Sequence, residues 1–355
     1  MRAKKVYPRR LDLWLLSTLV VLLWGCGGED KPATGGHAEG HSEAKAERHA
    51  VHASPKSLLT KKKGTEISGV VKEDRVLKAS ESPYILVGNL EVMPDIKLTI
   101  EPGVVVKSSG YNALIVNGNL QAKGTPDNPI KFVGLREGEK WDGIRFGKKS
   151  FAYNSEDIIE GHGCIIEYCE IKDARVGILC EKASPLIQHN VVENCEEGIK
   201  CRDGSNPTIA YNLLKDNKDG ITCEKYSSPE IKNNTITGKE GKGIYCKTYS
   251  SPTIAYNTIF GDGDTWWVGV LCQDSAAPKI NHNNIYANGG ANIKQLQNNP
   301  GEKSLEVDAR NNWWGADNEE IIAKGVYDNH IKANLGKVIY KPYESNKISN
   351  ASHKG

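Results

Sequence analysis

Residues 185–201 read PLIQHNVVENCEEGIKC, residues 207–223 read PTIAYNLLKDNKDGITC, and residues 229–246 read PEIKNNTITGKEGKGIYC. Each stretch begins with proline, has isoleucine two residues later and asparagine five residues later, and ends in cysteine. Further copies begin at Pro252 and Pro278, so that successive prolines lie 22, 22, 23 and 26 residues apart. A repeat of this length predicts a solenoid, in which each copy is one structural unit that stacks on the next.

The composition of each copy indicates what the unit is made of. Apolar and polar side chains alternate over a few residues, which is the pattern of a short β-strand. Asparagine and glycine recur where the chain must bend, since both tolerate the left-handed backbone of a sharp turn. The sequence therefore predicts an all-β coil in which each turn pairs with its neighbours. One asparagine position is expected to form a hydrogen-bonded ladder through Asn190, Asn212, Asn234, Asn257 and Asn283.

Five cysteines share another repeat position: Cys180, Cys201, Cys223, Cys246 and Cys272. An inward isoleucine two residues before each cysteine places the sulfurs inside the coil. Adjacent strands bring Cα atoms to about 4.8 Å, a distance that a disulfide accepts, but five side chains pointing the same way cannot all pair. We interpret the column as a stack of buried thiols. A Cu(I) site, which thiolates favour, is the alternative.

The motifs Pro-x-Ile-x-x-Asn-x-Ile and Gly-Ile-x-Cys resemble the repeats of pectate-lyase-like proteins. The resemblance implies a single-stranded right-handed parallel β-helix with N- and C-terminal caps over residues 63–345. The matching leading turns and closing cap are residues 98–103, 114–118, 124–130, 141–146, 311–315 and 336–338. Sites are grafted onto this scaffold independently, so the resemblance indicates the fold rather than the function.

The N-terminus has the organisation of an export signal. Five basic residues within the first ten precede an apolar run, residues 11–24, which is shorter than the roughly 20 residues of a membrane span. Gly25-Cys26 at the end of this run resembles the bacterial lipoprotein box, in which the cysteine receives fatty acyl chains such as palmitate. The resemblance implies a signal peptide at residues 1–25 and a lipid anchor on Cys26. It places the protein in the bacterial cell envelope, on the periplasmic or the cell-surface side of the outer membrane.

Residues 26–62 combine the lipidated cysteine with a tether that has almost nothing to bury and is expected to be disordered. The tether carries His37, His41, His49 and His52, which could bind Cu(II), Zn(II) or Ni(II). We favour a plain polar spacer, because no fixed geometry holds the histidines. Residues 346–355 are expected to form a flexible tail.

Charge excludes one class of partner. Removal of the signal peptide takes away five basic residues and one acidic residue, which leaves 41 Lys and Arg against 43 Asp and Glu. A net charge of about −2 argues against nucleic acid, whose binding needs a concentrated basic patch.

Two regions could carry a site. Enzymes with this fold cleave polysaccharides with charged residues on an outward strand face, often beside Ca²⁺, and the corresponding candidates here are Lys200, Arg202 and Glu224. A lysine base needs a depressed pKa, which the neighbouring glutamates oppose, so the same charges also fit a surface ion-pair ladder.

The second region is the longest corner, between Ile259 and Gly269. It carries Asp262, Asp264, Trp266 and Trp267. Adjacent exposed tryptophans would form a platform for sugar rings, and the two carboxylates could hold Ca²⁺. The alternative is that one tryptophan folds over the coil and covers it.

These observations favour a non-catalytic, lipid-anchored protein that binds glycans or organises the envelope. Its expected partners are the membrane, reached through the lipid, and polysaccharide or other envelope proteins. A polysaccharide lyase or hydrolase and a copper-handling protein are the alternatives. Beyond Ca²⁺ at the long corner, the sequence indicates no cofactor.

Overall fold

The computed structural model describes residues 64–354, apart from 109, 137, 154–162, 262–266, 289–295 and 300–305. The chain folds as a right-handed parallel β-helix of about nine turns with almost no helix, which confirms the predicted fold class. The signal peptide and the sites predicted at Cys26, His37, His41, His49 and His52 lie outside the described residues. No helix in the described part is long and apolar enough to cross a membrane.

Each turn contributes one strand to each of three parallel sheets, which we call sheets I, II and III. Sheet I contains β2 (Arg75–Leu77), β4 (Lys97–Ile100), β7 (Asn119–Lys123), β10 (Ile165–Glu167), β13 (Leu186–Gln188), β16 (Thr208–Ala210), β19 (Glu230–Lys232), β22 (Thr253–Ala255), β25 (Lys279–Asn281), β28 (Val307–Asp308) and β30 (Val338–Ile339). Sheet II contains β5 (Val105–Ser108), β8 (Ile130–Gly134), β11 (Cys169–Lys172), β14 (Val191–Glu193), β17 (Leu213–Lys215), β20 (Thr235–Gly238), β23 (Thr258–Gly261) and β26 (Asn284–Tyr286). Sheet III contains β6 (Ala113–Val116), β9 (Gly143–Phe146), β12 (Val176–Glu181), β15 (Glu197–Arg202), β18 (Asp219–Cys223), β21 (Gly241–Cys246), β24 (Trp267–Gln273), β27 (Leu296–Asn299) and β29 (Val326–Tyr327).

The two ends of the coil depart from this plan. At the N-terminal end, the long strands β1 (Thr65–Val71) and β3 (Tyr84–Val92) pair with each other and join sheets II and III. A short 3-10 helix, Ala79–Glu81, lies between them. At the C-terminal end, α1 (Glu319–Gly325) precedes the last turn, with Asn318 as its N-cap and Ile322 buried. An amide oxygen at the N-cap satisfies one of the unpaired N–H groups of the first helical turn.

The interior consists of columns in which equivalent residues lie on one another. In sheet I the isoleucines Ile187, Ile209 and Ile231 are in register and fully buried. In sheet III, Cys180 pairs with Cys201, and the register continues to Cys272. The described cysteines are all buried and none forms a disulfide.

Burial raises the pKa of several of these thiols, whereas hydrogen bonds with their neighbours in the column lower the pKa of Cys201 and Cys246. Burial raises the pKa of Cys164 to about 11 and that of Cys195 to about 12. At the end of the column, burial and a hydrogen bond to Cys201 raise the pKa of Cys180. Metal binding requires the thiolate, and the described residues contain no group of three or more His, Cys, Asp or Glu side chains that could hold a metal ion.

The asparagine ladder runs through the corner between sheets I and II. Asn212 Oδ1 accepts hydrogen bonds from the backbone N and from Nδ2 of Asn190, both at 3.0 Å. Asn212 Nδ2 donates to Ile187 O at 2.9 Å and to Asn234 Oδ1 at 3.0 Å. The same pattern repeats along the coil and continues past Asn283 to Asn312. Each fully buried amide is therefore satisfied by its neighbours in the stack.

The bends are built differently from the prediction. The left-handed residue at this corner precedes each ladder asparagine, for example His189 with φ 55° and Tyr211 with φ 57°. The glycine three residues before each cysteine of the column is required by close packing instead. A Cβ at Gly198, for example, would lie 2.6 Å from Gly220 O in the next turn. The expectation that the ladder asparagines and these glycines adopt the left-handed conformation is wrong.

The C-terminal segment is also different from the expected flexible tail. Residues 346–354 lie along the first residues of β26, β23 and β20. Asn284 bonds both the N and the O of Ile348, Thr258 donates to Ala351 O, and Asn233 donates to Asn350 O at 2.8 Å. Ala351 is only 1% exposed. Polar side chains of the coil thus bind the backbone of this segment and fix its position.

We predict that Asn212→Ala lowers the free energy of unfolding by at least about 2 kcal/mol, because it removes four buried hydrogen bonds, from Asn190 N, from Asn190 Nδ2, to Ile187 O and to Asn234 Oδ1. Chemical denaturation measures the change. The matched control is Asn206→Ala, since Asn206 is exposed and its side chain accepts one hydrogen bond, from Ser228 N. Equal effects of the two substitutions would contradict a structural role for the ladder.

Candidate functional site

The outward side of sheet III carries a dense group of polar side chains, which we call the charged face. It is formed where isoleucine and cysteine point inward and the residues between and beside them point outward. Its columns follow the strand register: Glu197 lies beside Asp219, which lies beside Lys242, and Lys200 lies beside Thr222. The charged face comprises Glu197, Lys200, Arg202, Asp219, Thr222, Glu224, Lys242, Tyr245, Lys247 and Gln273.

The predicted catalytic candidates lie in two neighbouring ion-pair groups. Lys200 Nζ is 2.9 Å from Glu197 Oε1 and 3.7 Å from Glu224 Oε1. Lys247 Nζ lies 2.9 Å from the other oxygen of Glu224. Two carboxylates beside one ammonium are the opposite of the apolar or cationic surroundings that activate a lysine. The structure therefore brings Lys200 and Glu224 together as an ion-pair network.

Arg202 pairs along the same outer column. Its Nη2 donates to Glu181 Oε2 at 2.7 Å, and its Nε is 3.7 Å from Asp203 Oδ2. The hydrogen bond to Glu181 and the nearby carboxylates raise the pKa of Arg202, against the opposing effect of burial. The guanidinium is thus held by protein carboxylates one turn below and beside it.

Tyr245 is the aromatic centre of the charged face. The Nζ atoms of Lys242 and Lys247 each lie 5.0 Å from its ring centroid, within the range of cation–π attraction. Its hydroxyl donates to Gln273 Oε1 at 2.7 Å. Burial raises the pKa of Tyr245 above its ordinary value.

Asp219 was not among the residues singled out from the sequence. Its Oδ1 lies 3.3 Å from Lys242 Nζ, and its side chain is 13% exposed. Burial raises the pKa of this carboxyl although Lys242 acts in the opposite direction. The sequence carries one signal for this residue. Asp219 directly precedes the repeat glycine Gly220, as Glu197 directly precedes Gly198 one turn earlier, so the two carboxylates occupy equivalent positions.

At the long corner, the prediction of an exposed tryptophan platform is wrong for Trp267, which is 1% exposed. Three glycines leave room for its indole. A Cβ at Gly238 would lie 2.4 Å from Trp267 Cζ3, and one at Gly261 would lie 3.1 Å from Cδ1. At Gly243 the nearest indole atom would be Cζ2, at 3.4 Å. Trp267 therefore packs into the coil, as the alternative interpretation proposed.

The other residues predicted at this corner, Asp262, Asp264 and Trp266, lie outside the described part of the chain. The sugar platform at Trp266 and the calcium site at Asp262 and Asp264 therefore stay predictions.

Comparisons with known proteins agree with the fold. Residues 151–313 match the family model described as a right-handed beta helix region. Over 82 residues the chain is 40% identical to Protein bark beetle of Drosophila melanogaster; the match covers 23% of this chain and 3% of that protein. Among solved structures, two mutants of the periplasmic alginate epimerase AlgG give TM-scores of 0.39 and 0.33, with 14% and 13% identity. The first match covers 74% of both chains, and the second covers 75% of this chain and 76% of the other.

We predict that Trp267→Ala lowers the free energy of unfolding by about 3–5 kcal/mol, because it empties the space that the three glycines provide. The change is measured by chemical denaturation and by the thermal midpoint. Tyr111→Ala is the control, since Tyr111 is 73% exposed and its loss should change stability by less than about 0.5 kcal/mol. A Trp267→Ala protein as stable as the control would contradict this packing.

Proposed function

We propose that the protein is exported, is held at a membrane by a lipid on Cys26, and binds polysaccharide along the charged face without cleaving it. The order of basic residues, short apolar run and Gly25-Cys26 supports export and lipid attachment. The binding part is supported by the chemistry and the spacing of the charged face.

The observation that carries the binding proposal is the regular array around Tyr245. Carboxylate, ammonium, hydroxyl and amide groups recur at the strand spacing of about 4.8 Å, and a polysaccharide likewise presents hydroxyl groups at regular intervals. A carboxylate accepts hydrogen bonds from sugar hydroxyls, and the adjacent ammonium donates to them. The partly buried ring of Tyr245 adds an apolar surface for sugar C–H groups.

The pairing of the lysines supports binding without cleavage. Lys200, Lys242 and Lys247 each lie within 3.3 Å of a carboxylate oxygen. Arg202 is paired with Glu181 in the same way, so each basic side chain of the charged face has a carboxylate partner and none is left unpaired to act as a base. Such a surface is suited to hold a neutral or weakly charged polymer.

We predict that Cys26→Ser abolishes lipid attachment. The variant should either leave the membrane fraction or accumulate as uncleaved precursor, because the serine hydroxyl does not replace the thiol as the acceptor of the diacylglyceryl lipid. Cell fractionation and mass spectrometry of the N-terminal peptide measure this outcome. Gly27→Ser is the control and should behave as the parent protein. Lipidated protein recovered from Cys26→Ser would disprove the anchor.

We predict that the anchor-free chain binds at least one polysaccharide on a glycan array and that Tyr245→Ala weakens this binding about tenfold, a loss of about 1.4 kcal/mol. Tyr111→Ala serves as the control and should bind normally. Chromatography of the incubated polysaccharide should show intact polymer. Binding that is insensitive to Tyr245→Ala would exclude the charged face, and shortened products would exclude a non-catalytic role.

A further inference from the structure

A second aromatic feature lies at the corner that leads from sheet III to sheet I. The residue three positions after each cysteine of the column occupies equivalent places there: Ala183, Gly204, Tyr226, Tyr249 and Ser275. The rings of Tyr226 and Tyr249 are stacked, with centroids 5.4 Å apart and an angle of 7° between their planes. Tyr226 is 67% exposed and Tyr249 is 44% exposed. The corner therefore presents two parallel aromatic rings to solvent.

The backbone of this corner does not favour tyrosine. Tyr226 has φ 63° and Tyr249 has φ 61°, a left-handed conformation that bulky side chains rarely adopt. Gly204 has φ 81° and donates to Lys225 O at 3.0 Å, as Tyr226 donates to Thr248 O one turn later. Gly204 thus occupies the position equivalent to Tyr226 one turn earlier, where the chain has no ring.

The space beside Gly204, where the ring of the next turn would be continued, is not filled by other atoms of the described chain. A Cβ placed on Gly204 would meet no atom within 4 Å. A cleft of about 340 Å³ lies there, lined by Lys182, Asp203, Gly204, Lys225 and Tyr226. Successive turns are about 4.8 Å apart, which is within the separation of stacked rings. A flat ring bound at this level would therefore continue the stack of Tyr226 and Tyr249 by one member.

The charges around the cleft indicate what the ring should carry. Lys182 and Lys225 border it, whereas Asp203 is its single acidic lining residue. Asp203 Oδ1 is 3.5 Å from Lys225 Nζ, and Asp203 Oδ2 faces Arg202 Nε at 3.7 Å. Within the described part of the chain, Lys182 forms no ion pair. An anionic group on the ligand would pair with Lys182 and gain a charge-assisted hydrogen bond.

We propose that this cleft binds a pyranose ring with an anionic substituent, a carboxylate or a sulfate. The apolar face of the sugar stacks on the open side of Tyr226, the anion pairs with Lys182 and Lys225, and the Asp203 carboxylate accepts from a sugar hydroxyl. The proposal rests on the proposed function in that the ligand is a glycan. It assigns a second binding position, at the corner that follows sheet III. Lys182, Asp203 and Lys225 each come one residue after a member of the outer column, which is formed by Glu181, Arg202 and Glu224.

Affinity electrophoresis of the anchor-free chain tests the proposal. The gels contain dextran, carboxymethyl-dextran or dextran sulfate, three polymers with one backbone and different charge. We expect retardation in at least one of the two anionic gels. Tyr226→Ala removes the platform and Gly204→Tyr fills the open level with a ring, so each should weaken this binding at least tenfold. Tyr111→Ala is the control and should be retarded like the parent.

Further variants separate this cleft from the charged face. Lys182→Gln should weaken retardation in the anionic gels and leave the unmodified dextran gel unchanged. Gly204→Tyr should unfold at a lower temperature than the parent, because an L residue is strained in the left-handed conformation of Gly204. It should remain folded, since the parent holds Tyr226 and Tyr249 in the same conformation. Thermal unfolding and circular dichroism check this before the binding of the variant is compared. The proposal is overturned if neither anionic polymer binds, or if binding survives both Tyr226→Ala and Gly204→Tyr. Loss of binding only in Tyr245→Ala would uphold the charged face and reject the cleft.

Discussion

The structure depends on one constraint, which is that each turn must place every residue beside its equivalent in the next turn. The buried asparagine ladder enforces this register, since Asn212 Oδ1 accepts both the backbone N and Nδ2 of Asn190. A slip of one residue would remove these bonds and would also turn inward side chains outward. Buried amides that find partners only in the correct register make that register specific.

Strict register has a chemical consequence, because like residues are stacked on like. Isoleucine on isoleucine and tyrosine on tyrosine are stabilising, whereas equal charges would repel. Two columns of the outer surface avoid this repulsion by alternating signs, whereas the like-charged neighbours Glu197 and Asp219 are each paired with a lysine. Glu193 lies between Lys172 and Lys215, at 3.0 and 2.8 Å, and Arg202 follows Glu181. The charged face has the same origin, and the binding function that we propose for it would use groups that the register has already arranged.

The repeat made the fold, the inward cysteines and the asparagine ladder predictable, because these depend on spacing within one turn. The environment of Trp267 was not predictable in this way, since the glycines that receive its indole lie at three separate points of the sequence. Tyr226 was missed because its corner repeats Tyr-Ser-Ser-Pro in only two turns, at residues 226–229 and 249–252, and Gly204 is informative only when the two are known to be stacked neighbours. The docking of the C-terminal segment was not predictable, because its backbone groups make the contacts with Asn284 and Thr258. Backbone contacts leave no apolar pattern in the sequence.

That segment alters how the coil comes apart. In a solenoid each turn touches only its neighbours, so melting can proceed one turn at a time from an end. Residues 348–353 bond to Asn284, Thr258 and Thr235, which belong to three successive turns. The segment therefore links three turns that otherwise contact only their neighbours, and it couples the opening of the turn of Asn284 to that of the turn of Thr235.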